Sequence, residues 1–177
     1  ADVLAEVEAD RPGVVNAYLR GATRDATFNA RHGTTRFAQT SNGWLEVIQA
    51  LSKLDRKSWR YQEGSRNVWV VETSGSFDPL PRAGAPIDEV AAWARGYFDA
   101  EGGVPRSRMA RFYIQLSQKN LNDLALLCQA LELLGIKTGR LHNPSRQVDP
   151  DYWRFFVRSS SHERFARVVD SWHPIKR

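Results

Sequence analysis

Trp-Ala-Arg-Gly-Tyr-Phe-Asp-Ala-Glu-Gly-Gly, residues 93–103, constrains the fold more than any other stretch of this chain. It predicts the last turns of a helix that carries Gly96 on one face and is stopped by the pair Gly102–Gly103. Asp99 and Glu101 fall in or just past its final turn. A helix C-terminus carries partial negative charge, so an acid there costs about 0.3–1 kcal/mol unless a cation offsets it. A solvated acidic turn satisfies the pattern. So does a Glu101 that faces a divalent metal, with Gly96 present so that a second helix can approach closely.

The flanking sequence contains the same unit twice. Tyr-Leu-Arg-Gly-Ala-Thr-Arg-Asp-Ala at 18–26 stands against Trp-Ala-Arg-Gly-Tyr-Phe-Asp-Ala-Glu at 93–101, which makes Gly21 and Gly96 equivalent and 75 residues apart. Phe-Ala-Gln-Thr-Ser-Asn-Gly-Trp-Leu from Phe37 matches Leu-Ser-Gln-Lys-Asn-Leu-Asn-Asp-Leu from Leu116. Each brings a glutamine, Gln39 or Gln118, to a strand end just before an apolar helix. Two such units whose glycine helices pack together give a pseudo-twofold molecule with its site at the foot of the pair.

An acidic arm, 1–10, precedes the first half, 11–74. That half reads as a helix from Pro12 to about Arg24, then a hairpin over 27–40 turning at His32–Gly33. Next comes a helix capped by Ser41 with Trp44, Leu45, Ile48 and Leu51 at helical spacing. Strands at 58–62 and 67–73 follow, joined at Glu63–Gly64–Ser65. A linker rich in proline and glycine, 75–86, leads to the second half, 87–177. There the pattern predicts a helix over 87–100 and strands within 104–117 around a turn at Pro105–Arg108. Phe112, Ile114 and Leu116 alternate with Arg111, Tyr113, Gln115 and Ser117. A helix at 120–134, strands at 136–141 and 152–158, and a helix at 161–172 complete an α+β chain.

Composition narrows the partners. A chain of 177 residues with 42% hydrophobic residues can bury a core as one domain or as two halves sharing one. A lone cysteine, Cys128 in an apolar run, excludes a disulfide framework. No apolar stretch approaches the ~18–20 residues that span a bilayer, and no signal peptide is visible, so a soluble, intracellular protein (cytoplasm or organelle) without a membrane partner is expected. The four histidines lack metal-ligand spacing and there is no phosphate-binding glycine loop. Ser159–Ser161 beside His162 is read as a helix cap, and the six tryptophans mostly as core.

Charge is unevenly placed. The four strand regions, 27–40, 57–72, 103–117 and 136–158, hold 13 of the 25 Lys/Arg but only 4 of the 20 Asp/Glu. Strand alternation can collect those cations on one face, with Arg154, Phe156 and Arg158 opposite Trp153, Phe155 and Val157. Arg and Gln read guanine and adenine edges bidentately in a major groove, so double-stranded DNA is the expected partner. The candidates are Arg31, Arg36 and Gln39 on the first hairpin, with Arg60 and Arg66 on the second. Arg106, Arg108, Arg111 and Gln115 follow on the third, with Arg140, Arg154 and Arg158 on the fourth.

Gly96 and the run Asp99-Ala-Glu-Gly102 resemble the signature of the LAGLIDADG homing endonucleases, in which single-chain members contain the unit twice. The resemblance extends from about residue 11 to the end. It implies two αββαββα halves in one chain, antiparallel sheets forming a DNA-binding saddle, and a monomer that makes a metal-dependent cut in a long target. It further implies an acid at the foot of each glycine helix holding Mg²⁺, for which Mn²⁺ or Ca²⁺ substitutes. Glu101 matches one acid, with the backbone of Ala26 and Ala100 assigned to the metal site. Gln118 and Lys119 match the family's polar pair at the strand-to-helix junction; Gln39 matches its partner, with Thr40 in place of the lysine.

The first half departs from the pattern. Aligned on Gly21, the position of Glu101 is Ala26, and the nearby acid, Asp25, is one residue early and rotated by about 100° on a regular helix. Either the helix ends irregularly and Asp25 swings into the site, or this half has lost its acid. Three functions follow: a site-specific endonuclease; a nickase or non-cutting nucleic-acid-binding protein such as an intron maturase or transcription factor; or a protein–protein adaptor.

Overall fold

The computed structural model describes residues 12–52, 56–107 and 109–176; the acidic arm and Arg108 lie outside them. Helix α1 (Pro12–Ala22) runs into a single 3₁₀ turn, Thr23–Asp25, and strand β1 (Ala26–Asn29). Strand β2 (Thr34–Gln39), helix α2 (Gly43–Ser52) and strands β3 (Arg56–Glu63) and β4 (Arg66–Ser74) follow. After the linker come α3 (Ile87–Glu101), β5 (Gly102–Gly103), β6 (Gln115–Gln118) and α4 (Leu121–Leu133). Strand β7 (Trp153–Phe156), a 3₁₀ turn at Ser159–Ser161 and α5 (His162–Val168) end the chain.

Two antiparallel sheets result, ordered β1-β2-β4-β3 and β5-β6-β7. The second gains a ragged fourth member. His142 and Arg154 exchange backbone hydrogen bonds of 3.0 Å, and Gly139 N donates to Phe156 O at 2.7 Å. The core lies between the sheets' inner faces and the helices, with Phe37 and Val71 contributed by one sheet and Leu116, Phe155 and Val157 by the other.

The seam of the molecule is the α1–α3 contact. A Cβ added at Gly21 would lie 2.1 Å from Trp93 O, and one added at Gly96 would lie 2.1 Å from Tyr18 O. Each glycine therefore admits the other helix's backbone, as the repeat predicts. The linker is fastened to the same two helices: Arg20 Nε donates to Asp78 O (3.0 Å) and Leu80 O (2.8 Å), while Trp93 Nε1 donates to Pro79 O (3.0 Å).

Several expected elements end differently, each for a local reason. Among the described residues of 104–114 no strand forms: Pro105 lacks an amide donor, and Ala110 N turns back to Ser107 O at 3.1 Å. Ile114 and Leu116 are buried, but Phe112 is 57% exposed, its ring edge-on to His162. At 136–141 only an isolated bridge forms, Thr138 with Val157, because the next pair, His142 with Arg154, is one residue out of its register. The last helix stops at Val168 rather than Trp172, since Trp172 N and the Ser171 hydroxyl turn instead to the Asp99 carboxylate. Ser161 makes no side-chain cap; its hydroxyl accepts Lys137 N–H at 3.0 Å. Gly102 is not in a left-handed conformation (φ −79°); it is needed because a Cβ there would sit 2.0 Å from the Phe98 ring. The linker contains no helix, so the first half lacks the seventh element of an αββαββα unit.

A methyl group at the seam must push two backbones apart, and overpacking of a tight site costs about 1–3 kcal/mol, occasionally more. Gly96→Ala is therefore expected to lower stability in urea unfolding by at least about 2 kcal/mol. A loss below about 0.5 kcal/mol, the size of an ordinary surface change, would mean that the helices do not meet here.

Candidate metal and nucleic-acid site

The two acids reach equivalent places by different routes. From Gly96 to Glu101 the chain travels five helical residues, but from Gly21 to Asp25 only four. A residue rises about 1.5 Å and turns about 100° in an α-helix, against about 2.0 Å and 120° in a 3₁₀ helix. The 3₁₀ turn Thr23–Asp25 thus gives both acids an axial offset of about 7.5 Å from their glycines and cuts the angular mismatch from about 100° to about 40°. Strand register agrees. Ala26 pairs with Phe37, two before Gln39, and Gly102 pairs with Leu116, two before Gln118. Ala26 is therefore the counterpart of Gly102, not of Glu101, and Arg24 rather than Ala26 is the counterpart of Ala100.

Each carboxylate accepts from its own strand's glutamine: Asp25 from Gln39 Nε2, and Glu101 from Gln118 Nε2 at 3.2 Å. Gln118 Oε1 is itself fixed by Lys119 N at 2.7 Å; the Lys119 side chain is exposed. Burial pushes the Asp25 carboxyl up to about 6, with the Lys176 charge and the Gln39 bond opposing. Glu101 is raised too, first by burial and then by the Asp25 charge, so the two acids feel each other across the seam. Arg24 anchors the 3₁₀ turn by an ion pair to Asp123 and a 3.1 Å bond to Pro79 O.

Asp99 is a different kind of group. It is 1% exposed and accepts from Tyr18 Oη (2.7 Å), the Ser171 hydroxyl and Trp172 N (3.0 Å). Tyr18 Oη in turn accepts from Trp44 Nε1 at 2.8 Å. This carboxylate ties α1, α2, α3 and the tail together and faces no open site.

Two half-buried carboxylates at the negative ends of two helices suit a hard divalent cation with oxygen ligands. Among the described residues no group of three or more His, Cys, Asp or Glu could hold a metal. The remaining ligands would be backbone carbonyls, water and substrate oxygens.

The DNA candidates divide by sheet face. Arg36 lies on the outer face of the first sheet, stacked 5.1 Å over Trp59 and paired with Glu72 at 2.8 Å. Arg66 shares that face, 3.4 Å from Glu63. Arg60 does not: it pairs with Trp69, as Gln39 does, on the face of Phe37 and Val71, and stacks over the Trp69 ring. On the second sheet Gln115, Arg154 and Phe156 face outward while Leu116, Phe155 and Val157 are buried. Gln115 Nε2 reaches Tyr152 Oη at 3.4 Å, and Arg154 Nε reaches His142 Nε2 at 3.3 Å. Arg31, Arg106, Arg111, Arg140 and Arg158 are exposed. Sequence reasoning missed Trp59, Tyr61, Tyr113 and Lys176; aromatics interleaved with arginine on β3 were the available sign for the first two.

A description of the family as "LAGLIDADG-like domain" fits residues 88–170. Residues 88–170 are thus similar to that family. The chain is 26% identical to homing endonuclease I-ApeI of Aeropyrum pernix over 188 aligned positions, 90% of this chain and 82% of that one. In fold it is similar to I-DmoI solved in complex with DNA and Mn (TM-score 0.65, 15% identity, 90% of this chain and 98% of that one). It is also similar to the N-terminal LAGLIDADG domain of DUF199/WhiA (TM-score 0.70, 15% identity, 94% and 88%). The LAGLIDADG fold thus extends over the first half as well. No helix among the described residues is long and apolar enough to cross a membrane.

The raised Asp25 carboxyl makes the stability of the fold depend on pH. Between its unfolded value, about 3.9, and about 6 the folded chain binds more protons, so stability falls as pH rises through that window. Asp25→Asn removes this loss. Allowing for partial solvent screening, it should raise the stability of the DNA-free protein at pH 7 by about 1 kcal/mol and change little at pH 4. Equal urea midpoints at pH 7 would contradict the burial of this group.

Proposed function

We propose that this protein is a site-specific DNA-binding protein and a metal-dependent endonuclease, acting as a monomer whose halves, 11–74 and 87–177, each present one sheet to double-stranded DNA. One observation carries the reading: Asp25 and Glu101 stand at the feet of two touching helices, coupled to each other and each held by a glutamine. Outward faces bearing Arg36, Gln115 and Arg154 flank them. The likeness to I-ApeI and to the I-DmoI fold supports it.

Asp25 and Glu101 would hold Mg²⁺, or Mn²⁺ in its place. A bound divalent cation supplies Lewis-acid stabilisation of charge on the phosphoryl oxygens. Gln39 and Gln118 fix the two carboxylates, so that little reorganisation is left for the reaction. Lys119, exposed beside Gln118, offsets charge on the scissile phosphate. Arg154 and Gln115 read base edges from the second sheet, and Arg36 contacts the duplex from the first. Arg60, stacked on Trp69 toward the helices, takes a supporting role.

The halves are not chemically equal, which favours a second reading in which one strand is cut slowly or not at all. The first half has a shorter acid on a 3₁₀ turn and Thr40 where the second has Lys119.

The test is selection of a target from a randomised duplex library, followed by cleavage with separately labelled strands. Glu101→Gln should reduce cutting by about 10²–10³-fold, the loss typical of one removed stabilising group, and leave binding in Ca²⁺ within about threefold. Full cutting by this variant would remove Glu101 from the site.

Arg154→Ala should weaken binding and lower the slope of log K against log salt by about 1 if it contacts phosphate. If it reads a base, it should instead relax specificity at one position by about 1–3 kcal/mol. Unchanged affinity and specificity would exclude the second sheet's outer face as the contact surface.

A further inference from the structure

The C-terminal tail brings a cation to the last turn of α3, the turn that carries Glu101. Past α5 the chain turns at Asp170, whose φ is 55°, and lays its last described residues across both halves. The His173 ring stacks on Trp44 at 5.9 Å. Pro174 packs on Gly43, where an added Cβ would lie 3.0 Å from its Cγ. Gly43 and Trp44 open α2, just beyond the junction that holds Gln39 and Thr40. The tail then crosses the seam, and Lys176 Nζ donates to Phe98 O at 3.0 Å and Asp99 O at 2.6 Å. Those are carbonyls of the last turn of α3, where a cation meets the negative end of the macrodipole. From there the ammonium acts electrostatically on both Asp25 and Glu101.

The two junctions differ by one charge. Lys119 follows Gln118, whereas Thr40 follows Gln39. We propose that Lys176, past the last helix of the second half, is a positioning residue that supplies from the tail the positive charge missing from the first junction. It holds Asp25 and Glu101 as a compact pair without DNA and stands beside the cation and scissile phosphate once they bind. This rests on the endonuclease reading for its second half; its first rests on the seat of Lys176 on the last turn of α3 and on the charge it sets against both acids.

Three variants of the full chain separate this role from a plain helix cap. Lys176→Arg keeps the charge, Lys176→Gln keeps a donor for the two carbonyls without the charge, and Lys176→Met keeps neither. In the DNA-free protein, Mn²⁺ titration followed by paramagnetic relaxation should show affinity raised at least about threefold in K176Q and K176M, because a like charge next to the metal is gone. K176R should bind Mn²⁺ as the wild type does. On labelled target, K176Q and K176M should slow one strand's cut by about 10²-fold with the other within about threefold, on the scale of one lost charge-stabilising group. Unchanged Mn²⁺ affinity in K176Q overturns the proposal, as does equal slowing of both strands. Wild-type cutting by K176Q overturns it while leaving the endonuclease reading intact. A wild-type chain that cuts no target defeats the endonuclease reading instead, and the Mn²⁺ titration still decides the fate of the Lys176 proposal.

Discussion

The molecule depends on two backbones lying against each other without side chains between them. Gly21 and Gly96 let α1 and α3 touch at Trp93 O and Tyr18 O, and no other residue type leaves room for that approach. Close contact brings the two helix C-termini side by side. It therefore also brings together the two acids that follow them, against the repulsion between like charges and like dipole ends. Asp99 reinforces the seam by gathering Tyr18, Ser171 and Trp172 around one buried carboxylate.

That arrangement explains how an imperfect repeat can keep a symmetric site. The first half is one residue shorter between glycine and strand, and a regular helix would send its acid to the wrong side. A tighter final turn restores the axial offset, and Arg24 clamps that turn to Asp123 and to the linker. Symmetry is recovered in position but not in charge. The glutamines are matched, yet one junction ends in lysine and the other in threonine.

Much of this was legible in the residues. The glycine spacing, the paired glutamines, the hairpin turning near Gly33, the Glu63–Gly64–Ser65 turn and the Asn120-capped helix α4 all depend on local chemistry and periodicity. Elements decided by tertiary competition were not. Whether 136–141 completes a ladder depends on its register against β7, which slips by one residue between Thr138 and His142, and the end of α5 depends on a carboxylate some seventy residues earlier. The place of Asp25 was left open because sequence spacing assumes one helical pitch, and the chain uses two. Composition makes Arg60 a candidate DNA contact, but strand register with Trp69 sets it on the face of Phe37 and Val71. Lys176 carried no signal, since a lone lysine near a terminus reads as solvent-facing until the tail's path over Gly43 and Trp44 is seen.

The fastened linker has its own consequence for how the chain tolerates change. Its carbonyls at Asp78, Pro79 and Leu80 are taken by side chains from both seam helices, so added residues there would dislodge Arg20, Arg24 and Trp93 together. A few residues on, Gly84 turns in the open at a φ of 67° with nothing near its missing Cβ. Lengthening the crossover is thus a matter of address: the same short insert that would loosen the joint at Pro79 can be looped out at Gly84 for little more than the entropy of a longer loop.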